Sequence, residues 1–295
     1  MKKSKKLIRN LAIIFATVFA ISSLGFAVTM LSSPNDTMPY LHISWGDFAN
    51  ITGTNLNNGE ITEIDEIFSN VNIHGVSSNI VIAASDDEKT RIEFSHSNNL
   101  ASLETIVQND TLYVRERWRR GIQLFGINAR VNMRIWLPKR QYDNIYLRLT
   151  SGSLATENFT LDSKNLNTRI TSGRIEADVS VYENYTVRVT SGTVDLNGVS
   201  GNGEVRLTSG NVTLRYVKWN ESFKANVTSG DLNIHLPENS GIRLNSRVTS
   251  GRIHYELGDD SGRIGTASGI NFGGENIQTA ELNLTSGRIR IMSVY

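Results

Sequence analysis

The chain has 295 residues, 30 Lys and Arg against 29 Asp and Glu, a net charge of +1, and no cysteine. Charge this close to balance gives no global pull toward nucleic acid. The absence of cysteine excludes disulfides, thiolate metal sites, thiol nucleophiles and a cysteine-linked lipid anchor.

The N-terminus opens with Lys2, Lys3, Lys5, Lys6 and Arg9, followed by an uncharged, mostly aliphatic run from Leu11 to Leu31. As a helix, 21 such residues would span about 31 Å, close to a bilayer core of ~30 Å. Basic residues stand only on the N-terminal flank. The expected arrangement is therefore a cytoplasmic tail (1–10), a single-pass anchor in the cytoplasmic membrane (11–31) and the remainder outside the cell. A cleaved signal peptide is the alternative, with Gly25-Phe26-Ala27 as the cleavage region and a secreted product. Both readings export the rest of the chain. Residues 32–60, rich in Ser, Asn and Gly with Pro34 and Pro39, read as a linker.

From about residue 61 to 148 the sequence reads as an irregular β segment that starts or caps the repeats beyond it. In it Val71, Ile73, Val76-Ser77-Ser78, Ile80 and Ile82 fit the alignment of the later repeats with the glycine lost, and further strand-like runs are Arg91–Phe94, Thr111–Arg115 and Val131–Leu137. Residues 149–295 are more regular. Thr-Ser-Gly recurs at Thr150, Thr171, Thr190, Thr208, Thr228, Thr249 and Thr285, with spacings of 21, 19, 18, 20, 21 and 36 residues. The last gap divides at a degenerate Ala267-Ser268-Gly269. Aligned on their threonines, the copies place Leu149, Ile170, Val189, Leu207, Val227, Val248 and Leu284 one residue before, and Leu154, Ile175, Val194, Val212, Leu232, Ile253 and Ile289 four residues after. Polar residues alternate with these, the period-two signature of strands with one buried face.

A period near 20 residues built from such strands predicts an all-β fold, a β-solenoid of stacked rungs with Thr-Ser-Gly as the corner. Glycine supplies the bend, and serine is expected to point inward in a column of hydroxyls. The Gly-rich stretch from Gly258 to Gly274 reads as the weakest rung. An antiparallel sandwich with hairpins at this interval is the alternative.

The order of these elements resembles a known family. An N-terminal anchor leads into Ile64-Asp65-Glu66-Ile67, then Ser78-Asn79-Ile80-Val81-Ile82, then Arg134-Ile135-Trp136-Leu137-Pro138-Lys139, then the repeats. Over roughly residues 60–295 this resembles the bacterial putative-adhesin family of β-strand-repeat envelope proteins. It is similar there to a membrane-anchored member encoded with the Lia cell-envelope stress system. The resemblance implies a non-enzymatic binding or scaffolding role at the envelope, or an accessory or sensor role in envelope stress through a protein partner. It supplies no catalytic residues and no cofactor.

Two groups of residues stand out as candidate sites. Arg148, Arg169, Arg188, Arg206 and Arg247 each lie two residues before a repeat threonine, with Asn226 and Asn283 in the other two copies. Outward-pointing arginines in register would form an anion-binding stripe suited to phosphate-rich wall polymer or lipid headgroups. The plainer reading is a solvated face balanced by Glu176, Asp195 or Glu204. Arg117, Trp118, Arg119, Arg120 and Phe125 form a second basic and aromatic group, read as a loop that touches membrane or a partner, or as an ordinary exposed hairpin. The five histidines show no metal-ligand spacing. A polysaccharide-cleaving solenoid would need paired carboxylates on one face. Asp178, Asp195 and Asp231 do not share a register, which places that reading last.

Overall fold

In the computed structural model the described residues are 54–56, 59–97, 101–118 and 131–293, all within the unit Thr52–Tyr295. The expected tail and membrane anchor (1–10 and 11–31) and most of the linker lie outside them. Every regular element among the described residues is a β-strand. The first group is β1 (Thr54–Leu56), β2 (Glu60–Ile64), β3 (Asn70–Gly75), β4 (Ser78–Ala84), β5 (Thr90–His96), β6 (Ala101–Gln108), β7 (Thr111–Trp118) and β8 (Val131–Leu137). The repeats begin with β9 (Tyr142–Leu149), β10 (Ser153–Glu157), β11 (Leu161–Ile170), β12 (Arg174–Val199), β13 (Asn202–Tyr216), β14 (Phe223–Leu236) and β15 (Ser240–Leu257). The chain ends in β16 (Asp260–Ile264), β17 (Ala267–Gly273) and β18 (Asn276–Ser293).

These strands form one curled, solenoid-like sheet. Before the corner, parallel pairing runs in the spatial order β7, β3, β9, β11, β12, β13, β14, β18, β15. After the corner it runs β8, β4, β10, β12 and on through the second halves of the long strands. Repeats stack in register: Ser191 lies beside Ser209 and Gly192 beside Gly210. This parallel arrangement removes the sandwich alternative. Antiparallel strands close the ends, with β6, β5 and β2 at one and β16 and β17 at the other.

Two departures from simple sequential stacking matter. The last strand, β18, lies between β14 and β15, and the first rung, β3 with β4, lies between β7–β8 and β9–β10. Residues 258–274 are consequently not a rung, contrary to the periodic reading. Gly258, at φ 60°, opens a hairpin that returns the chain antiparallel along β15, pairing Leu257 with Asp260. Glycine is the residue that adopts this angle without steric cost.

The predicted inward positions form the core. All seven residues four after the threonine are buried, as are six of the seven immediately before it; Val248 is only partly covered. Corners stack through backbone: Ser172 N–H donates to the Thr150 carbonyl and Ser191 N–H to that of Thr171, both at 2.8 Å. The corner serines themselves face solvent in all seven copies, which overturns the inward hydroxyl column. The backbone amide of serine, rather than its hydroxyl, ties one rung to the next. Close approach of the corners explains the glycine. A Cβ on Gly173, at φ 118°, would sit 2.3 Å from the Gly152 carbonyl oxygen. At the opposite edge of the rungs, Tyr185, Tyr216, Trp219 and Phe223 pack edge-on in an aromatic cluster. The Trp219 indole there donates to the Gly241 carbonyl at 2.9 Å.

Candidate anion-binding face

Register turns the repeated arginines into a column. Arg148 pairs with Arg169, Arg169 with Arg188, Arg188 with Arg206, and Arg206 with Asn226. Asn283 and then Arg247 continue it through β18 and β15. On the other side Arg148 pairs with His74, and His74 with Arg115. The column therefore contains Arg115 and His74 in addition to the repeat arginines, and Arg247 stands apart from the rest behind two asparagines. Eight steps of ~4.8 Å give it a length of about 38 Å.

Its charge is concentrated at one end. Two residues earlier on the same strands, the neighbours of Arg148, Arg169 and Arg188 are Tyr146, Asn167 and Thr186, all neutral. One rung further this neighbouring column becomes Glu204, Lys224 and Glu281. Arg206 Nε donates to Glu204 Oε1 at 2.7 Å. Cationic density thus peaks from Arg148 to Arg188, and beyond Arg115 the column meets Glu104, its partner on β6. Local burial, then Arg169 and Arg115, pull the Arg148 pKa below its ordinary value. Burial, then Arg148 and Arg115, push the His74 pKa down to about 4. Like charges ~5 Å apart in water repel by roughly 0.8 kcal/mol per pair, a cost that a bound anion would offset.

The strands are held in this register by a second column four residues before the arginines. Asn144 Nδ2 donates to Asn70 Oδ1 at 2.7 Å, Asn184 Nδ2 to Asn165 Oδ1 at 2.9 Å, and Asn202 Nδ2 to Asn184 Oδ1 at 3.5 Å. An amide both donates and accepts, so identical side chains can bond in a ladder.

The first corner is built differently from the others. Val76-Ser77-Ser78 lacks the glycine, and a buried carboxylate, Glu116, completes it. Glu116 Oε2 accepts from Val76 N at 2.6 Å and Ser77 N at 2.9 Å, and its Oε1 accepts from Trp118 Nε1 at 2.6 Å. The second candidate group divides accordingly. Trp118 is half-buried, held by Glu116 and packed at the core margin. Arg117 donates through Nε to Glu104 Oε2 at 2.6 Å. Arg119, Arg120 and Phe125 lie outside the described residues. Strand β7, which bears Arg115 and Arg117, pairs with β3 and so brings Arg117 to the Arg115 end of the column. In the sequence the two groups read as separate sites. His74 was legible, two residues before the degenerate corner, whereas Arg115 and Glu116 arrive only through the β7–β3 pairing.

The face after the corner is chemically mixed. Arg215 pairs with Asp195, Asn197 donates to Asp178 at 2.9 Å, and Arg288 lies 3.9 Å from Asp231. Among the described residues no three His, Cys, Asp or Glu side chains cluster as metal ligands would.

Two overlapping stretches, residues 68–170 and 142–292, match the Toastrack DUF4097 family model. The chain belongs to the Toastrack family. Solved structures similar to this Toastrack chain include a "putative adhesin" from Bacteroides fragilis, 12% identical with a TM-score of 0.45, the match covering 81% of this chain and 98% of that one. A "putative cell adhesion protein" from Clostridium sporogenes is 12% identical with a TM-score of 0.35, covering 82% of this chain and 100% of that one. A "putative lipid binding protein" from Parabacteroides distasonis is 12% identical with a TM-score of 0.33, covering 83% and 99%. No curated protein matches the sequence.

Proposed function

We propose that this protein is a non-enzymatic binding module of the bacterial envelope. In this reading it is tethered to the cytoplasmic membrane through residues 11–31 and faces outward, and its arginine column docks an anionic polymer. The supporting observation is the in-register series Arg115, His74, Arg148, Arg169, Arg188. Such a series is a linear array with the pitch of the rungs, suited to a linear polyanion more than to a compact ligand. The neutral neighbours Tyr146, Asn167 and Thr186 bring no negative charge to the adjoining column beside the three central arginines.

The test uses the full-length chain in non-ionic detergent on a resin bearing anionic wall polymer. Wild type is expected to be retained and to elute with salt, because exposed charge pairs are screened over about 10 Å at 0.1 M salt. Replacing Arg148, Arg169 and Arg188 together with Gln should shift elution to lower salt. Retention unchanged by the triple substitution would sink this reading.

A further inference from the structure

We propose that the anion laid along this column is a linear polyol phosphate, a chain of polyol units joined by phosphodiesters. The proposal rests on the anion-binding reading above and narrows its ligand. The arginines are one of three parallel columns. Two residues after each comes a corner threonine, so that Thr150, Thr171 and Thr190 run beside Arg148, Arg169 and Arg188 at about 7 Å, two residues along an extended strand. Each of these threonines is at least partly exposed, and the adjoining serines Ser151, Ser172 and Ser191 are fully so. On the other flank lie Tyr146, Asn167 and Thr186, partly exposed apart from the largely covered Thr186. A central line of cations is thus bordered on both sides by neutral groups that mostly both donate and accept hydrogen bonds.

That border discriminates among polyanions. Inorganic polyphosphate or polyglutamate presents only acceptors along its charged edge, and would engage the arginines while using the hydroxyl column merely as donors. A polyol phosphate alternates phosphate oxygens with hydroxyls that both donate and accept, matching guanidinium and hydroxyl columns together. Nucleic acid would call for a series of aromatic platforms under its bases, and along the column and its borders the described aromatic residues are Tyr146 and the buried Tyr113. A lipid surface would call for apolar side chains able to enter it. Among the described residues the large exposed apolar side chains, Ile61, Ile67, Tyr182, Val217, Ile270 and Ile277, all lie off these columns.

The experiment compares three ligands against the full-length protein held in zwitterionic-lipid nanodiscs: poly(glycerol phosphate), inorganic polyphosphate of equal charge, and phosphatidylglycerol vesicles. It also compares two triple variants, T150V/T171V/T190V and R148Q/R169Q/R188Q, each first checked for an unchanged melting temperature. Wild type should bind poly(glycerol phosphate) about tenfold more tightly than polyphosphate, the worth of a few net hydrogen bonds. The threonine variant should lose that preference, its affinity for poly(glycerol phosphate) falling further than its affinity for polyphosphate, and the arginine variant should lose binding to both. Equal binding of the two polymers, or a preference that survives Thr→Val, would overturn the polyol inference while leaving the anion reading standing. Tighter binding to vesicles than to polymer at equal phosphate would overturn it in favour of a membrane headgroup. Failure of any polyanion to bind, or binding indifferent to Arg→Gln, would overturn both.

Discussion

Replacing Glu116 with alanine should destabilise the protein more than any surface change near the arginine column. Glu116 is 2% exposed and accepts three hydrogen bonds, from Val76 N, Ser77 N and Trp118 Nε1 at 2.6, 2.9 and 2.6 Å. Hydrogen bonds to a charged acceptor are worth about 1.5–3 kcal/mol each, and a buried donor left without its acceptor costs about 1–3 kcal/mol. Val76 and Ser77 are only partly buried, so water recovers part of the loss, and about 3–5 kcal/mol is expected. For a domain of this size each kcal/mol lowers Tm by about 2–4 °C, which gives a fall on the order of 10 °C. Thermal and urea unfolding followed by far-UV circular dichroism measure it. Glu116→Gln should fall between, because one amide oxygen still serves the two backbone N–H groups while its NH2 faces the indole N–H. An alanine variant within about 0.5 kcal/mol of wild type would refute the idea that this carboxylate replaces the missing corner glycine.

Three further outcomes are expected, for the glycines, for pH and for hydrogen exchange. Gly173→Ala should cost about 2–5 kcal/mol in urea unfolding, since it combines a left-handed φ with overpacking against the Gly152 carbonyl. Gly258→Ala, with nothing within 4 Å of its Cβ, should cost only about 1–2 kcal/mol for its backbone angle. Stability should decline as pH falls from 6.5 toward 4, because the folded state holds His74 at about 4 while the unfolded chain takes up a proton near 6.5. With the ring partly exposed the loss is about 2–3 kcal/mol, and it should be smaller in His74→Gln. Hydrogen exchange should find the β18 amides from Ala280 to Ile291 among the slowest, since β18 is sandwiched between β14 and β15. Amides of the edge strands β16 and β17 should exchange first. Equal rates would contradict the strand order.

Much of the fold was legible because a parallel stack repeats one local solution. Every Thr-Ser-Gly rung has an apolar residue before the corner, another four after the threonine, and a glycine at the bend, and each leaves a mark at a fixed offset. Leu207, Gly210 and Val212 state it in one copy, and the other copies repeat it. The hydroxyl of the corner serine misled because alternation predicts side-chain direction only while the strand stays regular, and the bend is where regularity stops. Ala267-Ser268-Gly269 misled for a related reason: a degenerate corner and a hairpin edge share the same small residues.

The sequence by itself determined the strand period, the buried positions, the corner glycines and the even spacing of arginines, since all of these are local consequences of a two-residue alternation. Tertiary structure alone decided which rungs are neighbours. Insertion of β3–β4 and of β18 one place inward from the ends comes from long-range backbone pairing, which leaves no periodic trace in the chain. That pairing sets Arg115 beside His74, brings Glu116 to the first corner, and separates Arg247 from the other arginines. The extent and polarity of the cationic column are therefore properties of the assembled stack, while its existence was already written in the repeat.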